Sequence, residues 1–170
     1  MAYRVFLSHS TMDKRLVNYI AQGLLNIGVE PYLAEGDPRP GVPLSSKVSQ
    51  MIDASDCVVV ILTATASKSH WVQQEIGYAI KAGKLILPFV ERGVNAAAFL
   101  QGLEYVEVDP ADPNSYQVGC SSLQKYVLHL KSQKEKNENI GKVVLGLLGA
   151  FTLGAILNSS HHDEDEEDFL

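Results

Sequence analysis

Cys57-Val58-Val59-Val60-Ile61-Leu62 is a run of six apolar side chains with no polar residue among them. A strand with one wet face alternates, so this run, extended by Thr63, predicts a strand over 57–63 buried on both sides. Such a strand needs a helical layer above and below it, and the flanking sequence supplies the material. Leu16, Ile20, Leu24 and Ile27 recur at three- and four-residue intervals, and Gly28 follows where a C-terminal glycine ends a helix. Val48, Met51 and Ile52 mark a short second helix. A third is expected over about 70–82, and a last one over 119–132 with Leu123, Tyr126, Val127 and Leu130 inward.

Shorter apolar runs alternate with these helices. Tyr3–Leu7, Val29–Leu33, Leu85–Val90 and Tyr105–Val108 read as strands, while 91–103 carries no decisive pattern. Strand–helix alternation is the signature of a parallel sheet with crossover helices. The expected fold class is therefore α/β, a flavodoxin-like five-stranded parallel sheet in the order 2-1-3-4-5 with helices on both faces. Pro31 supports that order, because a residue that cannot donate to the ladder belongs on an edge strand. In such sheets ligands sit beyond the carboxyl ends of the strands, where the winding reverses between strands 1 and 3. Ser8–Thr11 and Thr63–Trp71 meet there.

On the third helix Trp71, Glu75 and Tyr78 fall within about 60° of one another, while Val72, Ile76, Ala79 and Ile80 are expected to face the sheet. Glu75 is then at the boundary of the buried face, where a carboxylate can reach the crevice or simply favour the helix dipole. The loop Ser8-His9-Ser10-Thr11 offers hydroxyls and backbone amides at a helix start, a place for an anion or for a plain N-cap. His9 has no carboxylate beside it in sequence. The stretch Ala34–Pro43 holds three prolines and two glycines and reads as a long surface loop.

Several classes are excluded. Neither GxGxxG nor a Walker pattern follows the first strand, so Rossmann dinucleotide binding and P-loop chemistry are disfavoured. Asp13 and Asp56 suggest a response regulator, but Leu62-Thr63 offers no phosphoacceptor aspartate. The formal charge of −6 comes from residues 163–168, which are all acidic; setting those six aside leaves 14 Asp plus Glu against 14 Lys plus Arg. The body is neutral and lacks the basic stripe that nucleic acid requires. Two cysteines without zinc spacing argue against a metal and for a reduced, cytoplasmic setting.

Three segments together resemble the TIR (Toll/interleukin-1 receptor) domain family over roughly residues 3–130. Tyr3-Arg4-Val5-Phe6-Leu7-Ser8-His9-Ser10 is similar to its first box. Gly36-Asp37-Pro38-Arg39-Pro40-Gly41 is similar to the loop after the second strand. Ser69-His70-Trp71-Val72-Gln73-Gln74-Glu75 is similar to the SxWcxxE signature, with Val72 at the usual cysteine. In catalytic members the glutamate of this segment cleaves the nicotinamide–ribose bond of NAD+. The resemblance thus implies an NAD+ nucleosidase of prokaryotic, anti-phage type, with Glu75 catalytic and NAD+ the substrate rather than a cofactor. By the same resemblance Phe6, Ser8, His9, Ser10, Asp37 and Arg39 line the nucleotide, and Trp71 packs beneath it. Pro40 and Gly41 would shape a loop for homo-oligomeric TIR–TIR contacts, with an activator acting in trans. A non-catalytic adaptor and a virulence mimic of host TIR domains are the alternatives.

The expected organisation is a TIR domain over 1–132, a polar Lys-rich linker over 133–139, an apolar Gly-rich helix over 140–158 and an acidic tail over 159–170. Residues 143–157 are fifteen without a charge. Ile140-Gly141 and a snorkelling Lys142 extend them to about eighteen, near the lower limit for a span. Gly146, Ala150 and Gly154 form a row of small residues that suits helix–helix contact in lipid or in an oligomer. The first reading tethers the domain to the inner face of a membrane through 140–157; the second buries the helix against another subunit.

Overall fold

The computed structural model describes residues 2–34, 40–41, 43–95, 100 and 102–159, with side chains as far as 138. The chain divides into two compact units, Met1–His129 and Leu130–Leu170.

The first unit is a parallel sheet of β1 (Tyr3–Ser8), β2 (Val29–Tyr32), β3 (Cys57–Leu62), β4 (Leu85–Glu91) and β5 (Val106–Val108), ordered β2-β1-β3-β4-β5. Every residue of β3 is buried, as a run without a polar face demands. Among the described residues β2 pairs only with β1, so Pro31 sits on the edge where its missing N–H costs no ladder bond. Helices α1 (Lys14–Asn26), α2 (Leu44–Asp53) and α3 (His70–Lys81) connect the first four strands. α1 is closed by Gly28 at φ 70°, a left-handed conformation that glycine adopts at little cost.

Successive strand residues point to opposite faces. Phe6, Val58, Val60, Leu62, Ile86 and Val90 therefore share one face, where Val48, Met51 and Ile52 of α2 and Val72, Ile76 and Ala79 of α3 complete a single core cluster. On the other face, α4 (Pro113–Ser159) comes so close to the sheet at Gly119 that an added Cβ would meet Val108 and Phe89.

Three expectations are corrected. Ile80 is 44% exposed, because the buried arc of α3 runs from Glu75 to Ile76 through Val72 and Ala79 and leaves Ile80 beyond its edge. Tyr126 is 50% exposed, while Cys120, Leu123 and Val127 form the buried stripe of α4. α4 also begins at Pro113, before the expected 119. Proline is preorganised for a first helical position, and Asp112 Oδ1 accepts from the Asn114 amide over 2.9 Å.

In the second unit α4 runs on to Ser159, so residues 133–139, read as a linker, are helical. Lys134 and Glu138 pair there at i,i+4 spacing, 3.9 Å apart. Among the described residues no helix is long and apolar enough to cross a membrane. The side chains of 140–157 and the tail beyond 159 lie outside the described residues.

Candidate active site

β1 and β3 are neighbours, and the winding reverses between them. Ser8 closes β1 in register with Val60, so the loops after β1 and β3 leave the sheet side by side. They are tied together. Thr63 donates through Oγ1 to Asp13 Oδ2 over 2.8 Å and accepts the Ala66 amide over 3.0 Å. One buried hydroxyl thus fixes both loops and aims the chain into α3. Ser69 then caps α3, its Oγ accepting from the Val72 amide at 3.4 Å.

This entry brings Glu75 over the end of β1. Glu75 is 4% exposed rather than at the boundary of the buried face, and Ser8 is fully buried. The Ser8 hydroxyl donates to Glu75 Oε2 over 2.5 Å. A carboxylate in an apolar setting needs such donors to offset lost hydration. Trp71, four residues earlier on α3, is partly buried and packs against the core cluster that contains Phe6.

The remaining sequence-predicted residues divide. His9 Nδ1 lies 2.8 Å from the Leu7 carbonyl oxygen, which only accepts, so this nitrogen carries the proton. Ser10 caps the short 3-10 turn Thr11–Asp13 by accepting the Met12 amide at 3.3 Å. Phe6 is fully buried in the core and presents no surface to a ligand. Pro40 and Gly41 are exposed in a turn, with Gly41 at φ 83°. Asp37 and Arg39 lie outside the described residues.

A cleft of about 910 Å3 opens nearby among the first residues of α1 and α4, and it does not include Glu75 or Ser8. Four of its polar side chains, Asp13, Thr63, Glu91 and Tyr116, are committed to hydrogen bonds. Besides the Asp13–Thr63 bond, Glu91 accepts from the Tyr116 hydroxyl at 2.5 Å and from the Ala64 amide at 3.0 Å. Burial, then Glu91, raises the Tyr116 phenol above its ordinary range. The cleft braces the loop after β3, and Glu75 stands apart from it over the end of β1.

The two cysteines, Cys57 and Cys120, are both free and buried. Burial pushes the Cys57 thiol up to about 12 and the Cys120 thiol up to about 11, so both are inert packing groups at neutral pH. Among the described residues no cluster of His, Cys, Asp and Glu is arranged to hold a metal ion.

The fold is shared with solved structures. The TIR domain of the Toll-related receptor TRR-2 from Hydra magnipapillata superposes with a TM-score of 0.63 at 17% identity, covering 74% of this chain and 98% of that one. The CMP N-glycosidase BcmB of Clostridium botulinum gives a TM-score of 0.57 at 21% identity, covering 72% and 98%. No curated protein matches the sequence. A family model described as the TIR domain matches residues 5–118, which include β2 to β5, most of β1, the Ser8 loop and the Glu75 helix. With that match over most of its length and a sheet in the order expected from the strand–helix alternation, the chain belongs to the TIR domain family.

Proposed function

We propose that this TIR domain is an NAD+ glycohydrolase of the prokaryotic immune type, cleaving the bond between nicotinamide and ribose with Glu75 as its catalytic carboxylate. The observation that carries the reading is the buried carboxylate of Glu75, held by the Ser8 hydroxyl at the switch point of the sheet. Departure of neutral nicotinamide leaves positive charge on the ribosyl carbon. A fixed carboxylate in a water-poor site stabilises that charge more than the ground state, as in glycoside hydrolysis. Capture by water gives ADP-ribose, and capture by another atom of the same molecule gives a cyclic product. The Clostridium botulinum protein of the same fold is a CMP N-glycosidase, so N-glycosidic cleavage is chemistry this architecture accommodates.

TIR domains act through TIR–TIR contacts, and the exposed turn at Pro40-Gly41 is the surface we assign to self-association. The test is nicotinamide release by the purified chain at high concentration, followed by chromatography and mass. Release that disappears in Glu75→Gln supports the enzyme. Equal release from both proteins overturns the role of Glu75. Silence from an assembled wild type moves the assignment to a non-catalytic adaptor.

A further inference from the structure

Lys47 lies in the first turn of α2, within Leu44-Ser45-Ser46-Lys47, a stretch with no sequence signal of function. It is 5% exposed, the one buried lysine among the described residues. Among the described residues its ammonium makes a single hydrogen bond, to the Ala34 carbonyl oxygen just past β2. An ammonium carries three donors, and removing it from water without an anionic partner is costly. A packing role would be filled better by leucine or methionine, so the buried charge points to a ligand.

Its position says which. Phe6 pairs with Tyr32 across β1 and β2. The pairing ends there: Ala34 follows just past the carboxyl end of β2, and Ser8 is the carboxyl end of the neighbouring β1. Lys47 is thus anchored at the carboxyl end of β2, beside the strand whose carboxyl end carries the Ser8–Glu75 pair, and Ala34, Phe6 and the α2 residues Val48, Met51 and Ile52 share one core cluster. The carboxyl ends of two neighbouring strands therefore carry a buried cation beside β2 and a buried carboxylate over β1. α2 adds to the positive flank, because its N-cap Pro43 provides no side-chain acceptor for the first amides.

We infer that Lys47 is an anion-binding residue that takes a phosphate oxygen of the substrate, the Ala34 carbonyl holding its ammonium in place until the ligand arrives. The identity of the ligand rests on the NAD+ reading: a dinucleotide brings a cationic nicotinamide to Glu75 and an anionic pyrophosphate to Lys47. The presence of the anion site does not rest on it.

The experiment uses the full chain and inorganic pyrophosphate. Binding is followed by calorimetry and by the 15N resonance of the Lys47 ammonium, with K47M and K47R as variants. Expected are a shift of that resonance on titration, at least tenfold weaker binding in K47M, and recovery in K47R. An unmoved resonance, or unchanged binding in a folded K47M, overturns the proposal; the resonance is read in wild type, so a misfolded variant leaves the test intact. With NAD+, K47M should raise KM about tenfold while kcat changes little, the pattern of lost binding rather than lost chemistry. Pyrophosphate binding through Lys47 in a protein that does not turn over NAD+ would uphold the anion site and refute the NAD+ reading. Turnover with KM unchanged in K47M would do the reverse.

Discussion

Ser8 Oγ and Glu75 Oε2 stand 2.5 Å apart, joining the end of β1 to α3 across 67 residues of sequence. The bond gives Ser8 a role different from direct substrate contact. A hydroxyl that donates to the carboxylate fixes which way its oxygens face, and a buried serine at the end of a strand has little freedom of its own.

Ser8→Ala should therefore lower kcat for nicotinamide release by about ten- to a hundredfold while KM changes little, because misorientation costs the transition state more than the ground state. Ser8→Thr keeps the donor and should recover part of the loss. Steady-state kinetics on the two variants decides it; a raised KM with unchanged kcat would return Ser8 to the substrate-binding role.

Thr63→Val removes the hydroxyl that holds the loops after β1 and β3 together. The buried Ala66 amide would lose its acceptor, so the substitution should cost about 1–3 kcal/mol of stability, read as a lower urea midpoint at an unchanged m-value. Destabilisation below half a kilocalorie, roughly the scale of an exposed substitution, would mean that the loops are held by other contacts.

Much of this arrangement is legible in the sequence because it is set by patterns local to a strand or helix. The unbroken run Cys57–Leu62 demands a doubly covered strand, and Pro31 demands an edge. The burial of Glu75 is not local. Helix spacing puts it at a boundary, and only the partner supplied by Ser8, far away in sequence, makes the interior tolerable. Lys47 is hidden for the same reason: among Ser45, Ser46 and Ser49 it looks like a solvated face, and its burial depends on where β2 ends. The early start of α4 was obscured by Pro113, which breaks a helix from within and favours one from its first position.

Phe6→Ala distinguishes packing from recognition. Phe6 is fully buried in the cluster between the sheet and α2 and α3, so its truncation should cost about 3–5 kcal/mol. Activity should then fall with the folded fraction measured by circular dichroism at each temperature. A variant that stays fully folded yet binds substrate poorly would establish Phe6 as a recognition residue.

Alkaline pH should weaken the fold from its centre. Burial is the largest cause that raises the Cys57 thiol from 9.0 to about 12, opposed by the Tyr3 hydroxyl and helped by Asp56. Burial, then the neighbouring Cys57, also raises the Tyr3 phenol. Below the unfolded value of 9.0 both states hold the thiol proton, and the folded state has its full advantage. As pH climbs from there toward 12, the unfolded chain releases the proton first, so stability falls across that window. Cys120, raised to about 11 by burial, adds a loss in the same direction. Urea midpoints measured at intervals from pH 8 to 11 should decline, and more gently in Cys57→Ala, which has no thiol to ionise at that site. Parallel declines in the two proteins would assign the alkaline loss to the tyrosines and Cys120 and leave Cys57 no part in it.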